Sequence, residues 1–160
     1  MRVRYGAVVA TPVGRLGIGI VNQALARIEF LPSQQPEQDP DSNLAEQAVT
    51  ELLNYFNDPA APFTLPLDLH GTDFQCRVWS YLCTLKVGSR VSYGDAAKRL
   101  ATAARAVGGA CRANPLPIII PCHRIVSAQG WGGYAGEVDG NNLDIKRWLL
   151  EHELQIGTRS

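Results

Sequence analysis

The chain has 160 residues, 46% of them hydrophobic, with a formal net charge of zero; that fits one domain, or one domain with a small appended lobe, and contains no apolar run long enough to span a bilayer. The opening MRVRYGAVVATPVG is interrupted by Pro12 and Gly14 too early for a secretory signal, so a soluble cytoplasmic protein with no membrane partner is expected. The four cysteines form no CxxC pair and no zinc-type spacing with histidine, which predicts reduced thiols and no metal.

Residues 3–9, 15–21 and 25–31 are short runs of β type. TPVG and VNQ separate them with turn chemistry, so an antiparallel meander is predicted. PSQQPEQDPDS, residues 32–42, holds three prolines and reads as a loop. NLAEQAVTELLNYF follows. Asn43 and Glu46 have capping-box spacing, and Leu44, Ala48, Leu52 and Phe56 recur every four residues, which predicts an amphipathic helix. Residues 57–71 hold three more prolines and link two lobes.

The second lobe reads as helical. Thr72 and Gln75 have capping-box spacing ahead of Phe74, Val78, Leu82 and Leu85. Ser92 is placed to cap a short helix through Leu100, and Thr102 another from Ala103 to about Arg112. Two short helices and a tight turn make a helix-turn-helix candidate. A last helix is predicted over about residues 142–154. The fold class expected is α+β, with a small N-terminal antiparallel sheet and helix over residues 1–65. A helical C-terminal domain containing the helix-turn-helix follows over residues 66–160.

Charge is unevenly spread. Lys86, Arg90, Lys98, Arg99, Arg105, Arg112 and Arg124 stand against the single acid Asp95 between residues 86 and 124, while residues 1–58 carry four basic and seven acidic residues. A basic block in a neutral chain fits a polyanion footprint or a solvated helical face, and charge alone does not separate the two.

The stretch IIIPCHRIV, residues 118–126, places a thiol, an imidazole and a guanidinium at the end of an apolar run. A lone cysteine is more often an inert buried thiol. Here the run is expected to end at Pro121, so that Cys122 emerges from it with His123 and Arg124 favouring thiolate. A nucleophile also needs a base and a group that orients the base; His152 and Glu153 are the nearest late candidates. A cysteine protease is one class with such a pair, but none of its local signatures is present. A transcription regulator would account for the basic block but not for the thiol.

NPLPIIIPCHRIV, with GYAG downstream and then KRWLLEHE, resembles the O6-alkylguanine-DNA alkyltransferases (methylated-DNA–protein-cysteine methyltransferases), in size the bacterial Ogt type. FQCRVW, VSYGDAA and ARAVGGACRANP extend the resemblance over about residues 72–153. The resemblance implies a single-turnover DNA-repair methyltransferase that moves an alkyl group from O6 of guanine, and also O4 of thymine, irreversibly onto Cys122. His123 would take the thiol proton through a water, Glu153 would orient His123, Asn114 would fix the turn, and Tyr93 would protonate the leaving base. Arg105 would replace a flipped nucleotide in the stack, with Ala104, Arg112, Lys98 and Tyr93 also against DNA. Pro117, Val126, Tyr134, Ala135 and Gly136 would line the base pocket. No cofactor is implied. The implied partner is double-stranded DNA, bound in the minor groove without sequence preference by a monomer able to act cooperatively. The rival within the resemblance is an alkyltransferase-like lesion binder, which lacks the acceptor thiol. Three departures stand out: a shorter turn in LATAARAV, Ala135 where serine is frequent, and a longer AGEVDGNNLDI segment.

Overall fold

Two tight hairpin turns build the first sheet of this computed structural model, which describes residues 5–127 and 141–154. Strand β1 (Ala7–Thr11) turns through Pro12 and Val13 into β2 (Gly14–Val21). Thr11 Oγ1 closes the turn by accepting from the Val13 N–H at 3.1 Å and donating to the Gly14 carbonyl at 2.7 Å. Gly14 takes φ +105°, where a Cβ would be strained. β2 passes into β3 (Ala24–Leu31) through Asn22 and Gln23, at φ 52° and 60°. Positive φ at both central residues is the turn whose twist matches an antiparallel hairpin. The sheet order is β1-β2-β3, antiparallel throughout. The first strand lies later than the predicted 3–9, because the two-residue turn lets pairing run up to Thr11; residues 1–4 fall outside those described.

Helix α1 (Asn43–Asn57) crosses one face of the sheet. Ala45, Ala48, Leu52 and Tyr55 are buried there with Ala7, Leu16, Ile18, Leu25 and Ile28. The cap is Ser42, whose hydroxyl accepts from the Ala45 N–H at 3.1 Å. The predicted Asn43–Glu46 box is therefore one residue late, and the buried stripe runs through Ala45 and Tyr55 in place of Leu44 and Phe56.

Each edge of the sheet carries one bridge to a loop segment. Val8 and Gln38 exchange backbone hydrogen bonds of 3.0 Å on the β1 side. On the β3 side the Leu25 N–H donates to Pro66 O at 2.9 Å, and the Asp68 N–H donates to Leu25 O at 2.8 Å. The chain divides into two compact units, Met1–Leu69 and His70–Ser160.

The second unit starts with α2 (Asp73–Cys83), where the Thr72–Gln75 capping box is present in full. The Trp79 indole N–H reaches Ala110 O at 2.9 Å, tying α2 to α4 (Ala104–Arg112). Between them lies α3 (Tyr93–Arg99), capped by Ser92 as its position predicts. The turn from α3 to α4 closes with Thr102 N–H to Ala97 O at 2.9 Å and Ala101 N–H to Lys98 O at 3.2 Å, and Ala101 holds φ 55°. This is the helix stop usually built on glycine. α4 begins at Ala104 behind Ala103, which makes no side-chain cap; Thr102 belongs to the preceding turn and not, as its spacing predicts, to the helix start. β4 (Val91–Ser92) pairs in parallel with β5 (Ile125–Val126). α5 (Asn141–Leu154) buries Ile145, Lys146, Leu149, Leu150 and Glu153. Among the described residues no helix is long and apolar enough to cross a membrane.

Candidate active site

Asn114 organises the approach to Cys122. Its Oδ1 accepts from the Leu116 N–H at 2.8 Å, and its Nδ2 donates to Ile120 O at 2.8 Å and to Cys122 Sγ at 3.2 Å. Ile118, inside this loop, has φ 79°. A β-branched residue there is strained by roughly 1–3 kcal/mol; its side chain is buried and Ile120 N–H closes onto Leu116 O, so packing and hydrogen bonding offset the strain. Cys122, His123 and Arg124 then form one 3₁₀ turn leading into β5. Burial does not end at Pro121 as expected from the sequence. It continues through Ile125, and Cys122 is 5% exposed, because the short β4–β5 pair keeps the chain inside the unit.

His123 and Arg124 do not lower the thiol by lying beside it with their charges, as their place in sequence suggests. Both turn to Glu153. His123 Nε2 lies 2.7 Å from Glu153 Oε2, and Arg124 grips the same carboxylate with Nε on Oε1 at 2.8 Å and Nη2 on Oε2 at 3.0 Å. The third arm of Arg124, Nη1, donates to Leu85 O at 2.7 Å. Burial alone would raise Glu153, but the hydrogen bonds and charges of His123 and Arg124 together hold it well below the usual carboxylate range. Burial, with the charges of Arg124 and Lys146, holds the His123 imidazole below its ordinary value against the pull of Glu153. An ionised Glu153 only accepts, so Nε2 carries the imidazole proton and Nδ1 keeps the lone pair. Nδ1 is buried with no protein hydrogen-bond partner among the described residues. His152, the other candidate base, instead stacks on Trp148 at 4.8 Å.

Sequence reasoning missed Lys146. It is fully buried, donates to Ile125 O at 2.6 Å and lies 5.9 Å from the centre of the Tyr93 ring. Burial pushes the Cys122 thiol up to about 11, while the Asn114 hydrogen bond and the Lys146 charge work against that rise. Burial also lowers the Lys146 ammonium to about 8. The signal was available: Lys146 and Glu153 are seven residues apart and share a helical face with Ile145, Leu149 and Leu150. An ionisable residue on such a face is out of pattern.

Tyr93 opens α3, and a Cβ added at Gly108 of α4 would stand 3.9 Å from its Cε1. On α4, Ala104, Arg105, Gly109 and Arg112 are exposed while Val107 and Ala110 are buried. Lys98 is exposed on α3, Pro117 is buried in the Asn114 loop, and Val126 is half-buried opposite Ser92. Tyr134, Ala135 and Gly136 lie outside the described residues. Arg124 leaves the basic block as a phosphate candidate, since its charge is spent on Glu153 inside the unit. None of the four cysteines is disulfide-bonded. Among the described residues no three His, Cys, Asp or Glu side chains are grouped to hold a metal ion.

Residues 73–155 match the family described as 6-O-methylguanine DNA methyltransferase, DNA binding domain. A methylated-DNA–protein-cysteine methyltransferase of Mycobacterium tuberculosis is 39% identical over 150 residues, covering 89% of this chain and 88% of its own. The protein of the same name from Rattus norvegicus is 35% identical, over 91% of this chain and 80% of its own. The crystal structure of Mycobacterium tuberculosis OGT in complex with DNA superposes with a TM-score of 0.78 at 36% identity, covering 92% of this chain and 91% of that one. With a thiol, an imidazole and a carboxylate gathered on the segments this family match spans, the chain belongs to the 6-O-methylguanine DNA methyltransferase family.

Proposed function

We propose that this protein repairs DNA by moving an alkyl group from O6 of guanine onto Cys122 in a single, irreversible turnover. The observation that carries the reading is a buried thiol held by Asn114 at 3.2 Å, next in sequence to an imidazole whose other nitrogen is committed to Glu153. At neutral pH the sulfur is a thiol, so it must be deprotonated at the moment of reaction. His123 Nδ1 takes that proton, through a bridging water, while Glu153 stabilises the imidazolium that forms. The sulfur attacks the alkyl carbon, the S–C bond forms and the C–O6 bond breaks. The departing guanine gains a proton at N3 from the Tyr93 hydroxyl, which makes it a better leaving group. Pro117 and Val126 line the base pocket. The chain supplies every reacting group, so no cofactor is required. O4-alkylthymine presents a similar alkoxy carbon and is a second substrate.

DNA enters through α3 and α4, acting as a helix-turn-helix with α4 in the minor groove. O6 is inaccessible in a stacked duplex, so the nucleotide is flipped out at a cost of a few kcal/mol. Arg105 fills the gap. Ala104 and the glycines of α4 permit close approach, and Lys98 and Arg112 meet phosphates. Binding is sequence-independent, by a monomer able to bind cooperatively, and the N-terminal unit is a structural lobe.

The test is mass spectrometry after incubation with a duplex containing O6-methylguanine. One methyl group per chain, on the Cys122 peptide, is expected. Cys122→Ser should gain none yet still bind the duplex. Binding by the parent chain without any gain of mass would favour a non-catalytic lesion binder, and a methyl group on another cysteine would remove the assignment.

A further inference from the structure

Arg124 sits in the middle of the basic block yet faces inward. Its three donor arms are all used: two on the two oxygens of Glu153, at 2.8 and 3.0 Å, and one on Leu85 O at 2.7 Å. The last contact anchors the guanidinium beyond the end of α2, so the fork cannot swing away from the carboxylate. We propose that Arg124 is a positioning residue for the proton transfer that frees Cys122: by holding both oxygens of Glu153 and balancing its charge, it keeps the Nδ1 lone pair of His123 available. The inference rests on the reading of Cys122 as acceptor and His123 as base.

Charge and tautomer together set the state of His123. Three groups face His123: Glu153 and Lys146 from α5 and Arg124 from its own turn. Arg124 and an ionised Glu153 sum to zero around a neutral imidazole. The Lys146 ammonium donates to Ile125 O at 2.6 Å. Removing the guanidinium takes away the cation that grips both oxygens of the carboxylate paired with His123. Such a pair takes up a proton. A proton that settles on His123 makes imidazolium, with no lone pair. A proton that settles on Glu153 makes a carboxylic acid that donates to Nε2, which forces the imidazole proton onto Nδ1. Both outcomes remove the base. Lysine in place of arginine keeps the charge but cannot hold two carboxylate oxygens and a carbonyl in a fixed fork.

The experiment is the single-turnover rate of methyl transfer from an O6-methylguanine duplex as a function of pH, in the full chain. For Arg124→Gln the acidic limb should move up by about one pH unit or more, with the rate recovering on the alkaline side. For Arg124→Lys the limb should stay in place while the rate falls several-fold at every pH. A merely structural arginine would lower thermal stability in both variants and leave the limb where it is. A wild-type limb in Arg124→Gln therefore overturns the inference. If that variant does not fold, Arg124→Lys decides: a wild-type rate across the range would show the two-oxygen grip to be idle. A parent chain that transfers nothing would instead remove the acceptor reading, a different failure from a transferring parent with an unmoved limb.

Discussion

At Cys122 burial holds the proton on sulfur, while Asn114 and Lys146 favour its loss. Lys146→Met should therefore slow methyl transfer below about pH 8, where the ammonium is charged and favours thiolate, and change it little above that range, read as the single-turnover rate against pH. An equal rate below pH 8 would show the Lys146 charge to be silent at the sulfur. The two groups also make opposite contributions to stability. Cys122 rises from 9.0 to about 11, so its contribution is present below the ordinary thiol range and is lost as pH rises through that window. Lys146 falls from 10.5 to about 8, so its contribution is lost as pH falls through about 8 and is complete only above 10.5. In the parent chain the two slopes oppose each other. Burial also pushes Cys111 up to about 12, a slope of the same sign as that of Cys122; with all four cysteines replaced by serine these thiol slopes are removed, and denaturant unfolding should show stability rising between about pH 8 and 10, below the ordinary range of the Tyr5 hydroxyl. Asn114→Ala removes three hydrogen bonds at once, two to loop backbone and one to sulfur. It should cost about 1–3 kcal/mol in unfolding free energy and slow transfer as the loop loosens.

At the scale of the helices, α4 carries features that local stability disfavours. Among the described residues, Gly109 has open space where a Cβ would go and Gly108 meets only Tyr93, at 3.9 Å. Packing inside the chain does not demand either glycine. Gly109→Ala should therefore stabilise the fold by roughly 0.5–1 kcal/mol while weakening duplex binding, because the added methyl points where DNA is proposed to approach. Unchanged affinity would place DNA elsewhere. Ala101, left-handed at φ 55°, is the reverse case. Ala101→Gly should raise stability by up to about 1 kcal/mol by relieving Cβ strain, with transfer unaffected. These helices show how far local sequence reaches. The Thr72–Gln75 box and the Ser92 cap are readable because a cap and its helix lie within four residues. The start of α4 is not, since Ala103 has no capping side chain and Thr102 is drawn into a turn that an alanine closes. β4 and β5, two residues each, are too short for alternation to show, and their pairing joins residues far apart in sequence.

Over the whole molecule, charge divides into exposed and interior sets that the sequence alone merges. Lys98, Arg99 and Arg112 are exposed, and neutralising a true phosphate contact among them should reduce the salt slope of duplex affinity by about one unit. A slope unchanged by all three substitutions would remove α3 and α4 as the DNA-facing elements. The candidate acceptor thiol was legible from PCHR, Glu153 as a late candidate from its residue type, and its pairing with His123 from the resemblance. The roles of Arg124 and Lys146 were not, because a charge paired inside a fold and a charge in solvent read alike as letters. The two proline-rich segments read only as loops, since a single bridge at Gln38 or Leu67 leaves no periodic trace. Those bridges have a consequence for the life of the molecule. A repair reagent consumed once per lesion has to be stocked in advance and lingers as spent chains. Every open strand border in such a stockpile would be a template for fibre growth. With Gln38 bridged to Val8 on one border of the sheet and Pro66 and Asp68 bonded to Leu25 on the other, a second copy pairing there would have to displace the chain's own segments, which shortens the length of border that used and unused chains offer each other as they accumulate.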